Sequence, residues 1–304
     1  MARLFDQYIA VDWSARSVPS PKRPTGDAIW IGVKSFDEPT EEQYFQTRYE
    51  AEEWIGSRLV SAAEEGIRTL IGYDFDFGFP AGFANAVGAN NWLGVWELLN
   101  GLVEDNQDNS NNRFNVADYL NSICTVAEEA TGPFWAIPRG TSYKYLSAKK
   151  DLTYPFITSS GVELSEKRLT ELREPKSQPV WKLIGSASVG GQTILGIPML
   201  HRLIFNEKLR VVSTIWPLET GFNAPSSDKL ICHIEIWPGI FAGRFVGEAI
   251  RDQAQVRAII EWFDELDQSG GLVKLLSRLD RLSDDEVAIC VGEEGWIIGM
   301  GQRR

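Results

Sequence analysis

Acidic residues follow or close three short apolar runs of this sequence. They are Asp12 in YIAVDWSA, Asp74 and Asp76 in TLIGYDFDFG, and Glu235 in LICHIEIWPG. Removing a carboxylate from water is costly unless a cation or hydrogen-bond donors meet it. Carboxylate oxygens are hard ligands that suit Mg²⁺ or Mn²⁺ better than zinc. The three runs together predict one shared divalent-cation site, on the condition that the fold brings them together.

A second interpretation of these acids stays open. Asp12 and Asp74 can each cap the turn that follows, since Ser14 and Gly78 indicate that turns do follow. Capping accounts for any one acid as well as a cation does. It accounts less well for all three acids jointly.

The elements that must position these acids are three strands. Residues 7–14, 68–75 and 229–238 are short and apolar, as buried strands are. Because side chains alternate along a strand, Asp74 and Asp76 share one face of the second run. Sites in α/β sheets collect at the carboxyl ends of parallel strands. We therefore expect the acids to meet at that edge.

The rest of the sequence predicts an α/β protein with a mixed sheet flanked by helices. The first quarter has the order β-β-β-α-β, with a helix over residues 51–66 that stops at Gly66. Residues from about 77 to 180 contain many Gly and Asn and predict a mostly helical insertion or lid. A helical stretch follows over residues 245–282. We expect one domain, residues 1–304, that carries this insertion.

Composition narrows the possible functions. The chain has 42 Asp and Glu against 30 Lys and Arg, a net charge of −12. This balance argues against a broad surface for nucleic acid or anionic membranes. The three cysteines are far apart and only two histidines occur, so neither a zinc site nor a disulfide framework is expected. No apolar run approaches the ~18 residues of a membrane span, and we expect a cytoplasmic protein with no membrane partner.

Other residues are candidates for binding a phosphate-bearing substrate. Residues 185–193 precede an apolar helix, but Gly191 stands where a Walker motif has lysine. The backbone N–H groups of this run could hold an anion, and close helix packing explains its small residues equally well. His233, on the same strand face as Glu235, is a candidate proton shuttle. The predicted substrate-binding residues are Ser14, Asp76, Lys182, Ser188, Gly190 and His233.

The segment Ser283-Asp284-Asp285-Glu286 offers further carboxylates near the C-terminus. It fits the S-x-x-E capping box, and acids in a first turn suit the positive end of the helix dipole. A capping role for one of these acids leaves the others able to face a cation.

Five segments carry a resemblance to a known superfamily: AVDWSA (10–15), GYDFDFGFPAG (72–82), KLIGSASVGGQTILGIPML (182–200), EIWPG (235–239) and SDDEVAICVGEEGWIIG (283–299). Through them the chain resembles the ribonuclease H-like superfamily and, more closely, the domain of unknown function 429 family, whose members are predicted nucleases of that fold. The resemblance implies ligands on the first, fourth and a later strand and on the terminal helix. These positions are Asp12, Asp74, Glu235 and an acid of the terminal helix, Asp285 or Glu286.

We therefore expect a Mg²⁺- or Mn²⁺-dependent nuclease or phosphodiesterase that acts on nucleic acid. The predicted catalytic residues are Asp12, Asp74, Glu235 and Glu286, and the predicted metal ligands are Asp12, Asp74, Glu235 and Asp285. One alternative is a nucleotide-binding phosphotransferase of the actin and sugar-kinase type, which starts with the same β-β-β-α-β unit. Another is a non-catalytic ligand-binding module whose tryptophans line a cleft.

Overall fold

A mixed sheet of six strands forms the centre of the molecule, in the order β3-β2-β1-β4-β8-β7. The computed structural model describes residues 3–126, 131–174, 176–186, 188–241 and 249–302. The strands of this sheet are β1 (Gln7–Asp12), β2 (Ile29–Ser35), β3 (Glu41–Phe45), β4 (Thr69–Tyr73), β7 (Ser213–Ile215) and β8 (Ile231–Glu235). A separate hairpin pairs β5 (Phe156–Ile157) with β6 (Glu163–Leu164).

Helices cover both faces of this sheet. They are α1 (Arg48–Glu65), α2 (Phe83–Ala86), α3 (Trp92–Leu102), α4 (Arg113–Cys124), α5 (Gly190–Ile204), α6 (Arg251–Gln268), α7 (Leu272–Leu275) and α8 (Asp284–Ile289). A π-helical turn, Cys290–Glu294, continues α8, and 3₁₀ turns occupy Glu171–Arg173 and Pro238–Phe241.

The start of the fold confirms the predicted β-β-β-α-β order. Strands β1, β2 and β3 are antiparallel neighbours, whereas β4 pairs parallel with β1 on its other side. Strands β8 and β7 continue the parallel half. Helix α1 begins with a capping box made by Thr47 and Glu50 and ends at Gly66, whose φ of 72° is left-handed, as a glycine stop requires.

Alternation along β1 divides the core into two layers. Ile9 and Val11 pack with α1, α3, α4 and α5 on one face of the sheet. Tyr8 and Ala10 pack with α6, α7 and the C-terminal segment on the other face. Asp12 continues the second series, so it lies on the α6 face.

Residues 77–180 differ from the mostly helical insertion that the sequence predicts. The last of the three helices in this segment, α4, ends at Cys124, and the described residues beyond it form the short β5–β6 hairpin, a 3₁₀ turn and irregular chain. Aromatic rings hold this chain in place, because Phe134 and Trp181 stack edge-on at 5.0 Å within the α1-side core. Burial of these rings, rather than a helical repeat, therefore organises the segment.

In the described part of the predicted helical stretch over residues 245–282, helix α6 spans Arg251–Gln268 and helix α7 spans Leu272–Leu275. Helix α6 begins at Arg251, and residues 242–248 lie outside the described ranges. Among the described residues, no helix combines the length and the apolar character needed to cross a membrane.

Candidate functional site

A cleft of about 1050 Å³ opens at the carboxyl ends of β1 and β4. One wall of this cleft is acidic and includes Asp12, Asp74 and Asp252. Asp12 is the last residue of β1, Asp74 follows β4, and Asp252 is the second residue of α6. A site at this edge is where α/β sheets generally place ligands.

The strand register brings Asp12 and Asp74 side by side. Val11 is the partner of Tyr73 in the parallel β1–β4 ladder, and the Asp74 N–H donates to the Val11 carbonyl at 2.9 Å. The residue after each partner therefore lies on the same face of two adjacent strands, whose backbones are about 4.8 Å apart. Asp12 is buried and Asp74 is partly buried.

Asp252 approaches this pair from the helix layer. Its Oδ2 accepts a hydrogen bond from the Asp27 N–H at 2.6 Å, which ties the start of α6 to the segment that precedes β2. The sequence around Asp252 does not indicate a site, because the helix dipole already explains an acid in the first turn of a helix. Only the packing of α6 on β1 and β2 shows that it belongs to the acidic wall.

All three carboxyls of this wall have a raised pKa. Burial raises the pKa of Asp12 well above its usual range, and repulsion by Asp74 and Asp252 adds to the effect. Burial also raises the pKa of Asp74 to about 8, with further repulsion from Asp252 and Glu235. The pKa of Asp252 is raised, first by burial. Close burial of like charges is costly, and a bound cation or protons relieve that cost.

Glu235 does not join this wall, which corrects the expectation that it faces the same cation. Tyr73, not Asp74, is the partner of Glu235 in the β4–β8 ladder, so the pleat directs Glu235 to the opposite face of the sheet. There Arg168 binds both of its oxygens, Nη1 to Oε2 at 2.9 Å and Nη2 to Oε1 at 2.5 Å. The Phe77 N–H also donates to Oε2 at 3.0 Å.

Arg168 is a fully buried centre that the sequence analysis missed. Besides Glu235, it donates to Asp76 Oδ1 at 2.7 Å and to Glu171 Oε1 at 2.7 Å. Burial raises the pKa of Asp76 well above its usual range, although the charge of Arg168 opposes this effect. Asp76 lines the cleft, but its carboxylate forms an ion pair with the buried Arg168. This network ties the segment before α5 to the ends of β4 and β8.

Near the C-terminus, Glu286 caps helix α8, as the capping interpretation predicts. The Ser283 N–H donates to Glu286 Oε2 at 2.8 Å and the Glu286 N–H donates to Ser283 Oγ at 3.1 Å, which completes the capping box at the start of α8. Glu286 also lies 3.3 Å from Arg173. Within the described ranges, neither Asp285 nor Glu286 lines the cleft. The structure therefore corrects their placement in the site.

The predicted substrate-binding residues divide into two groups. Ser14, Asp76 and Ser188 line the cleft. Lys182 Nζ instead donates to the Ser186 carbonyl at 2.7 Å, and in the described part of the chain Lys182 is not a lining residue. Gly190 serves packing, because a Cβ there would lie 2.0 Å from the Val180 carbonyl oxygen and its N–H donates to the Lys182 carbonyl.

His233 is also corrected, because it lies in the core and not at the cleft. Its ring nitrogens contact Tyr73 Oη at 3.2 Å and Ser213 Oγ at 3.3 Å. Burial lowers the pKa of His233 to about 3, so the ring is neutral at physiological pH. A neutral, enclosed imidazole of this kind is a structural residue and not a proton shuttle.

The acidic wall suits a magnesium-like ion only if water and substrate phosphate supply most of its ligands. Among the residues that the structure describes, no three His, Cys, Asp or Glu side chains form a ready-made metal cage. Mg²⁺ commonly uses one or two carboxylates and takes its other ligands from water and substrate phosphate. Asp12 and Asp74 are a pair of hard oxygen donors that lie side by side on adjacent strands, which suits that mode.

Comparisons of the chain with protein-family models, with curated proteins and with solved structures gave no match.

Proposed function

We propose that this protein is a Mg²⁺- or Mn²⁺-dependent phosphodiesterase of ribonuclease H-like fold that acts on nucleic acid. The observation that carries the proposal is the adjacent placement of Asp12 and Asp74 on one cleft wall, with Asp252 beside them. The β-β-β-α-β start and the resemblance of the segments around Asp12 and Asp74 support it.

In this proposal, Asp12 and Asp74 hold the cation and Asp252 strengthens the local negative field. When bound, such a cation activates water and neutralises charge on a phosphoryl group. Asp12 and Asp74 would hold such a cation at the acidic wall of the cleft, where its other ligands would be water and a phosphate that enters the cleft. Glu235 acts through Arg168 by fixing the chain that follows β4.

Calorimetric titration with Mn²⁺ at neutral pH tests the proposal. We expect binding by the wild type and at least about tenfold weaker binding by Asp12→Asn and by Asp74→Asn, because each loses a charged oxygen ligand. Asp285→Asn is the matched control, since it makes the same chemical change at an exposed residue outside the cleft. Equal Mn²⁺ affinity in all four proteins would refute the proposal.

Hydrolysis assays complete the test. Bis(4-nitrophenyl) phosphate and labelled single-stranded and double-stranded oligonucleotides should be cleaved by the wild type with Mn²⁺, and not by the two cleft variants. One observation favours the phosphotransferase alternative, which is that the N-terminus of α5 borders the same cleft through Gln192. ATP binding and phosphate transfer to an acceptor, without diester cleavage, would favour that enzyme class instead.

A further inference from the structure

The lining of the cleft also contains a buried cation that makes no direct ion pair with a carboxylate among the described residues. Arg113 lines the cleft, and only 4% of its surface is exposed. Its Nη1 donates to Ser17 Oγ at 2.8 Å and to Asn111 Oδ1 at 2.7 Å, both of which are neutral acceptors. Its Nε is buried and makes no hydrogen bond within the described ranges. A buried guanidinium without an anion is costly, since desolvation is not repaid by attraction.

The electrostatic surroundings of Arg113 increase that cost. Burial lowers the pKa of Arg113 to about 10 and repulsion by Arg48 contributes, although the charge of Asp105 opposes both effects. Arg48 is itself neutralised by Asp105 at 2.6 Å, so that carboxylate is already engaged. In a chain with a net charge of −12, a buried arginine held by neutral groups indicates a ligand that brings its own negative charge.

The N-terminus of α5 lies against this guanidinium. A Cβ on Gly191 would be 3.3 Å from Arg113 Nε and 2.6 Å from the Leu183 carbonyl, so glycine permits the close approach. Helix α5 has 15 residues, begins at Gly190, and has no side-chain cap. The Gly190 N–H already donates to the Lys182 carbonyl, so the start of α5 offers an anion the positive end of the helix dipole beside Gln192, which lines the cleft. The Arg113 guanidinium and this end of the helix dipole therefore favour the same kind of ligand, an anion.

This cationic region and the acidic wall are parts of one cleft. The segment from Asp12 to Ser17 connects them, since Ser17 contacts Arg113 and Asp12 ends β1. Five residue steps span at most about 18 Å, so the two regions are within reach of one substrate. Gln192, in the first turn of α5, donates through Nε2 to the Trp13 carbonyl and fixes α5 against this segment.

We infer that Arg113 and the N-terminus of α5 form a phosphate subsite, which holds a phosphate of the substrate other than the one at Asp12 and Asp74. One part of this inference rests on the proposed function, namely that the substrate carries at least two phosphates. The subsite itself depends only on Arg113 and the first turn of α5. Two sources share this chemistry, namely a nucleic-acid strand and a free nucleotide.

Titration of the metal-free protein in EDTA with inorganic phosphate, followed by calorimetry, tests the subsite without any cation. We expect Arg113→Met to weaken phosphate binding about tenfold, the effect of one lost charge-assisted contact. Arg202→Met is the matched control, because Arg202 is an ion-paired arginine of α5 that is not a lining residue of the cleft in the described ranges. Asp12→Asn should bind phosphate at least as well as the wild type. An equal phosphate affinity in Arg113→Met and the wild type overturns the inference.

A second measurement keeps the test valid if Arg113→Met fails to fold. The ¹⁵N–¹H resonance of Arg113 Nε, assigned by its loss in Arg113→Lys, should shift on addition of phosphate to the wild type. A resonance that stays fixed at saturating phosphate overturns the inference. If Mn²⁺ binds equally well to the wild type, Asp12→Asn and Asp74→Asn while phosphate still shifts the Arg113 resonance, only the proposed function is refuted. The failure of the proposed function and the failure of this inference are therefore distinguishable.

The same titration identifies the source of the phosphate. An oligonucleotide without terminal phosphates that binds in an Arg113-dependent manner points to a strand, and Arg113-dependent binding of adenosine 5′-monophosphate alone points to a free nucleotide. Both results support the subsite. Binding of either compound that is insensitive to Arg113 counts against it.

Discussion

Replacement of Asp74 by asparagine should stabilise the cation-free protein at high pH and should remove its response to Mg²⁺. The pKa of Asp74 is raised from 3.8 to about 8, first by removal of the carboxylate from water and then by repulsion from Asp252 and Glu235. The folded state therefore binds this proton more tightly than the unfolded state does. The stability that it confers is complete below about pH 4 and is lost as the pH rises to about 8.

The size of the effect follows from the shift in the pKa of Asp74. A shift of about four units, at about 1.4 kcal/mol per unit, sets an upper limit of roughly 6 kcal/mol above pH 8. Asp74 is partly exposed at the cleft wall, so solvent screening reduces this to about 1–2 kcal/mol. Asparagine has no proton to lose. The Asp74→Asn variant should thus equal the wild type at about pH 4 and exceed it by that amount at about pH 9.

Urea unfolding in EDTA at several pH values measures this difference, with Asp285→Asn as the control that should show no such pH-dependent gain. Addition of Mg²⁺ at about one hundred times its Kd should then stabilise the wild type by about 2.7 kcal/mol. The Asp74→Asn variant should not respond. A stability difference that does not grow with pH, or one that favours the wild type at high pH, would refute the electrostatic argument for the acidic wall.

Two further substitutions separate the structural acids from the proposed ligands, and a third tests packing. Arg168→Met should lower the free energy of unfolding by about 3–5 kcal/mol, because it leaves Asp76, Glu171 and Glu235 buried without their shared cation. Glu235→Gln should lower the free energy of unfolding by about 1–3 kcal/mol. Calorimetry should show that the Glu235→Gln variant still binds Mn²⁺. Loss of Mn²⁺ binding in Glu235→Gln would restore that residue to the cation site. Gly190→Ala should destabilise by at least about 1–3 kcal/mol in chemical unfolding, since the new Cβ would meet the Val180 carbonyl at 2.0 Å, and an unchanged midpoint would contradict the packing role.

The local elements are predictable because local forces fix them. Alternation marks β1 and β4, and the run of apolar positions that stops at Gly66 marks α1. The capping box at Ser283 is one of the two alternatives that the sequence leaves open, and it is present in the structure. Burial of aromatic rings from distant segments decides the chain around Phe134 and Trp181, which is why the prediction of a mostly helical insertion there is wrong.

The sequence by itself determined that Asp12 and Asp74 stand at the ends of apolar strands, because strand ends are set by neighbouring residues. Only the tertiary structure decided which acids share a face. The β4–β8 register places Glu235 one step out of phase with Asp74, and a shift of one residue reverses the direction of a strand side chain. The docking of α6 likewise brings Asp252 to the cleft, and the meeting of α4 with α5 places Arg113 at Gly191. These placements depend on contacts between residues far apart in the chain, which no local pattern encodes.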